Sequence, residues 1–146
     1  MKKATPKTVS LATNKKELNK ILNGLTINEL LNDMILELSI IQKYNKVIAK
    51  LDRQHELTQE SYFEELANME EEKMNIAYYL YERVKKRVET HIDAMSDKDF
   101  IKWIEELDKR SKEINSRGNK TKTAQIAQQH LSIIYKYIGM KYKEAA

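Results

Sequence analysis

A long stretch without helix breakers dominates this sequence: between Gly24 and Gly118 there is neither glycine nor proline. Any helix in this stretch must end at a polar cap rather than at one of the two residues that usually interrupt helices. Within it, residues 61–95 carry apolar side chains at spacings of three, four and seven, which predicts one long amphipathic helix. About 35 helical residues span ~52 Å, so this helix either bends or makes the molecule elongated.

The long helix has two chemically different faces. Its apolar stripe, which we expect to face the core, consists of Leu66, Met69, Ile76, Leu80, Val84, Val88, Ile92 and Met95. Its opposite face carries Tyr79, Arg83, Lys86 and Arg87, also at helical spacing. The pattern predicts a helix that is covered on one side and presents a basic, aromatic surface on the other.

Periodicity and capping signals predict further helices, so the expected fold class is all-α. The predicted helices cover residues 14–25, 26–51, 61–95, 96–117 and 123 onward, with a polar turn at 52–59. Asn14, Ser96 and the Thr26–Glu29 pair match N-cap or capping-box patterns. Four principal helices preceded by a basic N-terminal arm and a short N-terminal helix predict a four-helix bundle, with the arm and short helix at 1–25 and the bundle at 26–146.

The second predicted helix has an apolar seam wider than that of a two-stranded coiled coil, so we expect other helices to enclose it. Glu37 interrupts this seam at a core-type position. A slight rotation that lets its carboxylate reach solvent is the expected arrangement, and a buried polar contact is the alternative.

The composition argues against catalysis and cofactor binding. Cysteine is absent, which excludes a disulfide framework, a thiolate zinc site and a cysteine nucleophile. The Asp-x-x-His pattern at 52–55 falls in a predicted turn, and the glutamates at 70–72 lie where a solvated face is expected rather than a magnesium-dependent pyrophosphatase site. We therefore expect no enzyme, no cofactor, no metal and no small-molecule substrate. Apolar runs fall short of the ~20 residues that a membrane span needs, so any membrane contact would be indirect.

Charge is unevenly distributed, although the formal net charge is only +4. Residues 1–25 carry six lysines and one glutamate, residues 26–116 carry 14 basic and 20 acidic side chains, and residues 117–146 carry six basic side chains and one glutamate. The three segments therefore have net charges of +5, −6 and +5. A polyanion is expected to meet the ends of the chain rather than its middle; lysine-rich ends that merely aid solubility are the alternative.

Three features favour nucleic-acid binding: the N-terminal lysines, the basic face of the long helix, and the turn at 118–122 before the last helix. Lysines attract phosphates in a salt-dependent, sequence-independent way, and amides at a helix N-terminus can contact phosphate directly. The candidate contacts are Lys2, Lys3, Lys7, Lys15, Lys16, Lys20, Arg83, Lys86, Arg87, Lys120 and Lys122. No base-reading residue is identifiable, which favours contact with the phosphate backbone of double-stranded DNA.

In this layout the sequence resembles the coat proteins of filamentous archaeal viruses of the lipothrixvirus and rudivirus kind. The resemblance is one of architecture: a basic N-terminal segment, here the lysines at 2, 3, 7, 15, 16 and 20, precedes a helical bundle from Thr26 onward. It implies a non-enzymatic major coat protein that wraps double-stranded DNA in many copies, as a homo-oligomer or with a paralogous coat subunit. It also implies a location in the virion, and in the host cytoplasm during assembly.

Two other functions are compatible with the same features. A phage DNA-packaging recognition subunit, of the small-terminase kind, also combines a long helical hairpin for ring assembly with a basic DNA-contacting end, although its usual N-terminal helix-turn-helix is missing here. A helical interaction module would instead bind another protein through its tyrosine-rich faces. Salt-dependent DNA binding separates the first two functions from the third, and filaments versus closed rings separate the first from the second.

Overall fold

The computed structural model describes residues 9–145, without the side chains of Leu11, Tyr142 and Ala145. The elements are a 3-10 helix at Val9–Leu11, α1 at Lys15–Gly24, α2 at Ile27–Thr58, α3 at Ser61–Ala94, α4 at Asp97–Ser111 and α5 at Lys122–Ala145. No strand occurs among residues 9–145. The all-α prediction is confirmed. The four-helix bundle is not, since residues 9–145 contain five α-helices, the short α1 included. Every helix in this range is too short or too polar to cross a membrane.

Local capping determines where most helices begin. The side chains of Asn14, Ser96 and Thr121 each accept a hydrogen bond from the backbone N–H three residues further on, at 2.8, 3.1 and 3.1 Å. Thr26 and Glu29 form the predicted capping box, in which the backbone N–H of each donates to the side chain of the other at 3.0 and 3.2 Å. These bonds satisfy amides that have no partner within the first turn of a helix.

A two-residue turn joins α2 to α3. Helix α2 continues through most of the polar segment that was predicted to be a turn, because that segment contains no residue that breaks a helix. It ends at Thr58, and Gln59 adopts a left-handed conformation with φ of 59°. His55 Nδ1 donates to the Glu60 carbonyl at 3.0 Å, and its Nε2 lies 3.8 Å from a Glu64 carboxylate oxygen. The two helices therefore form an antiparallel hairpin.

Helix α4 ends at Ser111, six residues earlier than predicted. The loop that follows is organised by Asn115, whose carbonyl accepts the Gly118 N–H at 3.0 Å and whose side chain accepts the N–H groups of Arg117 and Asn119 at 2.9 and 3.1 Å. Asparagine offers the backbone an alternative to helical hydrogen bonds, which explains the early end. Ile114, which falls within the predicted fourth helix at 96–117, lies in this loop and is 64% exposed.

The chain divides into two compact units. The first contains Met1–Leu25 and Asp33–Lys85, and the second contains Thr26–Asn32 and Lys86–Ala146. Buried apolar residues of the first unit are Val9, Leu18, Ile21, Leu22, Leu25, Met34, Ile41, Ala67, Ala77 and Val84. Those of the second are Leu30, Leu31, Val88, Ile92, Leu107, Ala124, Ala127, Leu131 and Ile134. Helices α2 and α3 contribute to both units, and α4 packs along α5 in the second.

Two predictions about the core are wrong. Met69 and Ile76 were assigned to the apolar stripe that faces inward, but both are exposed. The buried positions in this part of α3 are Ala67 and Ala77. Successive side chains along a helix point about 100° apart. The covered face is therefore rotated away from the larger side chains of Met69 and Ile76. Glu37 was expected to reach solvent, but it is 1% exposed.

Candidate nucleic-acid interface

Helix α1 separates apolar from basic side chains. Its buried residues are Leu18, Ile21 and Leu22. Spacings of three and four place them on one face of the helix, against the core of the first unit. The lysines predicted to contact DNA, Lys15, Lys16 and Lys20, are all exposed. The short helix therefore presents three cations to solvent within about 15 Å of its length.

Arg83 of α3 joins this basic surface. Its Nη2 donates to Asn19 Oδ1 at 2.5 Å, and Asn19 lies on α1 between Lys16 and Lys20. Because asparagine is neutral, this contact positions the guanidinium group without neutralising its charge. The Nε of Arg83 is buried and forms no hydrogen bond within the described chain. We call the surface formed by Lys15, Lys16, Lys20 and Arg83 the α1 basic patch.

The N-terminal lysines at positions 2, 3 and 7 lie outside the described residues. The described chain begins at Val9, which is fully buried and whose N–H donates to Asp33 Oδ2 at 3.1 Å. Val9, within the segment predicted to contain the basic arm, is therefore part of the core of the first unit. The 3-10 helix that contains Val9 also contacts α1.

The other predicted contacts belong to the second unit. Lys86 is exposed on α3, Arg87 is half-buried, and Lys120 and Lys122 are exposed before and at the start of α5. The side chains of Lys86, Lys120 and Lys122 form no hydrogen bond or ion pair within residues 9–145. The structure therefore joins Arg83 to the helix that carries Lys15, Lys16 and Lys20, through its hydrogen bond to Asn19.

Sequence reasoning missed a buried acidic pair on α2. Asp33 and Glu37, one helical turn apart, are 6% and 1% exposed. Burial, and to a smaller extent the charge of Asp33, raises the pKa of Glu37 to about 7. Its Oε1 forms no hydrogen bond within residues 9–145. The only signal in the sequence was the core-type position of Glu37, and the choice between solvent and core depended on the rotation of the helix.

The second unit contains a pocket of about 180 Å³ beside His130. His130 Nε2 donates to Asn32 Oδ1 at 2.7 Å, and Arg110 lines the same pocket. Burial, followed by the positive charge of Arg110, lowers the pKa of His130 to about 4, so its imidazole is neutral at pH 7. In the described part of the chain, no three His, Asp or Glu side chains come together as a metal site.

No protein-family model matches the sequence, and neither a curated protein nor a solved structure matches it. Function is therefore inferred from the surfaces of the molecule. In the α1 basic patch, a hydrogen bond between residues 64 positions apart joins Arg83 to the helix that carries Lys15, Lys16 and Lys20. Its four side chains carry four positive charges, and Glu17 is the one acidic residue of α1.

Proposed function

We propose that the protein coats double-stranded DNA without sequence specificity and assembles on it in many copies, as a virion coat protein does. The observation that carries the proposal is the α1 basic patch, where Arg83 contacts Asn19 among three exposed lysines. The role is structural and non-enzymatic. The helices from Thr26 onward, which the sequence predicts to form a bundle, would build the wall of the assembly.

The chemistry of the patch suits a phosphate backbone rather than base edges. Double-stranded DNA carries about one negative charge per 1.7 Å of its axis, so a helix about 15 Å long can face several phosphates. Lysines act as mobile point charges, whereas an arginine held by one side of its guanidinium group can still offer paired N–H donors to a phosphate. The positive end of the α1 dipole, near Lys15 and Lys16, adds to the same potential.

The test is a DNA-binding titration of the full-length protein at several salt concentrations. Replacing the three α1 lysines in one variant, Lys15→Ala/Lys16→Ala/Lys20→Ala, removes cations from the patch without touching its buried residues. The slope of log K against log salt concentration is negative, and its magnitude should then decrease by about 0.9 for each phosphate that the variant no longer neutralises, or roughly 2–3 in total. Affinity should fall alike for DNA of different sequences.

A matched control is available on α4. Lys98, Lys102 and Lys109 are exposed, and replacing all three by alanine changes the net charge equally while leaving the α1 basic patch intact. This variant should keep most of the wild-type slope. Equal reductions of the slope in the two variants would show that only net charge matters, and absence of salt-sensitive binding by the wild type would refute the proposal.

Electron microscopy of the DNA complex separates the coat function from its nearest alternative. Regular filaments support a genome coat, whereas closed rings indicate a packaging recognition subunit. A wild-type protein that binds no DNA at low salt would instead point to a protein-binding module.

A further inference from the structure

The α2–α3 hairpin exposes large apolar side chains at regular intervals. On α3, Tyr62, Met69 and Ile76 are 60%, 55% and 63% exposed and lie seven residues apart. On α2, the large apolar side chains that face water are Leu36, Val47 and Leu57. A seven-residue repeat of apolar side chains is the pattern by which one helix packs against another, and a row of them on the surface marks an interaction site.

Alternating steps of three and four residues connect these side chains into one stripe on each helix. The α3 stripe is Tyr62, Glu65, Met69, Glu72, Ile76 and Tyr79. The α2 stripe is Leu36, Ile40, Lys43, Val47, Lys50, Gln54 and Leu57. Both stripes lie within the first unit.

The charges within the two stripes have opposite sign. Lys43 and Lys50 lie on the α2 stripe, and Glu65 and Glu72 on the α3 stripe; all four are exposed and form no ion pair within the described chain. The surroundings have the same bias: residues 43–57 carry four basic and two acidic side chains, whereas residues 60–72 carry six acidic side chains and no basic one. Each stripe therefore complements the other in charge.

The two stripes lie on the same side of the hairpin. In each helix a stripe residue directly precedes a buried one, as Ile40 precedes Ile41 on α2 and Ile76 precedes Ala77 on α3. Both stripes are thus displaced from the buried face of their helix by the same rotation of about 100°. The two-residue turn reverses the chain between α2 and α3. In an antiparallel hairpin whose buried faces meet, equal rotations along the chain bring the two stripes to one common side.

We propose that two copies of the chain pair through these stripes, the α2 stripe of each copy packing on the α3 stripe of the other. A twofold axis parallel to the helices brings each lysine within about one helical turn of a glutamate of the other copy on both sides of the interface, and it closes the pair as four antiparallel helices. This inference identifies the surface for the self-assembly in the proposed function, and rests on that function.

The charge pattern selects a second copy as the occupant. DNA would be repelled by the acidic α3 stripe, whereas a second hairpin offers a basic and an acidic stripe at the required separation. The contact is about 33 Å long over 22 residues of helix and roughly 20 Å wide. That size approaches the ~800 Å² per partner of a standard specific interface.

The experiment is a charge exchange measured on DNA-free, full-length protein by sedimentation equilibrium. One variant, Lys43→Glu/Lys50→Glu, makes both stripes acidic; the other, Glu65→Lys/Glu72→Lys, makes both basic. Each variant alone should dissociate at least about tenfold more readily than the wild type, and an equimolar mixture should recover association to within about threefold. All four positions are exposed, so helical content should not change.

Three outcomes would overturn the proposal: a wild type that stays monomeric up to about 100 μM, a variant that associates like the wild type, or a mixture that does not recover. The control variant Lys98→Glu/Lys102→Glu reverses two exposed lysines on α4 and should associate normally. A wild-type protein that pairs but binds no DNA would refute the proposed function and leave the proposed interface unaffected. A wild-type protein that binds DNA but stays monomeric would refute the interface and leave the proposed function unaffected.

Discussion

Glu37 and His130 change the stability of the protein in opposite directions as pH changes. The pKa of Glu37 is raised from 4.5 to about 7, so its contribution to stability is complete below pH 4.5 and is lost as pH rises through 7. The pKa of His130 is lowered from 6.5 to about 4, so its contribution is complete above pH 6.5 and is lost as pH falls through 4. Between pH 4.5 and 6.5 the two effects nearly cancel.

Glu37→Gln should therefore expose the effect of His130. The variant no longer has to bury a carboxylate above pH 7, and a pKa raised from 4.5 to about 7 corresponds to a gain in unfolding free energy of up to about 3 kcal/mol there. Near pH 4 the gain should vanish. Between pH 4.5 and 6.5, where the wild type is nearly insensitive, the stability of the variant should rise with pH. Urea unfolding at several pH values measures all three effects.

Glu71→Gln is the matched control for this experiment. Glu71 is exposed on α3, so its replacement removes one carboxylate without changing a buried group. It should leave the pH profile of the unfolding free energy as in the wild type. If Glu37→Gln also has no effect above pH 7, the carboxyl group of Glu37 is not held in a desolvated site.

Helix starts were predictable from the sequence, and helix ends were less so. The caps at Asn14, Thr26 and Ser96 form hydrogen bonds to residues only three positions away, so the short-range pattern contains the whole interaction. The ends of α2 and α4 have no such signal. No glycine or proline lies near the end of α2, and the first one after α4 is Gly118, seven residues beyond its last residue. Their position depends on the turn and loop that follow.

The covered face of α3 was predictable only as a pattern. The spacing of apolar residues establishes the helix, but it does not say which of two adjacent rows meets a neighbour. Ile76 and Ala77 both fit a helical row, and the structure covers the smaller one. Burial depends on which elements pack on α3, and the spacing within one helix does not encode that.

Two glycines offer a test of how the last loop and the last helix are built. Gly118 has φ of 77°, and an added Cβ would meet no atom within 4 Å. Gly118→Ala should therefore lower the unfolding free energy by about 1–2 kcal/mol through backbone conformation alone. Gly139→Ala, within α5 and equally unobstructed, should raise it by about 0.5–1 kcal/mol because alanine favours the helix. Thermal or urea unfolding gives both values, and changes of the same sign would contradict the assigned conformations.

The α1 basic patch was partly predictable. Exposure of Lys15, Lys16 and Lys20 follows from the amphipathic pattern of one short helix, which the sequence displays. The contact between Arg83 and Asn19 joins residues 64 positions apart, and no local pattern encodes it. For the same reason the sequence grouped Arg83 with Lys86 and Arg87 on one helical face, whereas the structure joins it to α1.

In the proposed coat, pairing of hairpins and contact with phosphates use different residues, so a variant should lose one property without the other. Met69→Ser/Ile76→Ser removes two exposed apolar side chains from the α3 stripe without changing the net charge. Each such side chain contributes about 1.5–3 kcal/mol when fully buried in an interface. Cooperative binding along DNA should therefore weaken about tenfold or more, since each 1.4 kcal/mol corresponds to a factor of about ten.

The salt dependence for a single bound copy should stay at the wild-type value in this variant, because its four patch cations are unchanged. The Lys15→Ala/Lys16→Ala/Lys20→Ala variant should show the opposite combination: normal pairing in the absence of DNA and a reduced salt slope. Binding isotherms on short and long DNA separate the two quantities, since a short duplex accommodates one copy and reports no cooperativity. If both variants lost both properties together, the coat would depend on one continuous surface, and the separation of the α1 basic patch from the hairpin stripes would be wrong.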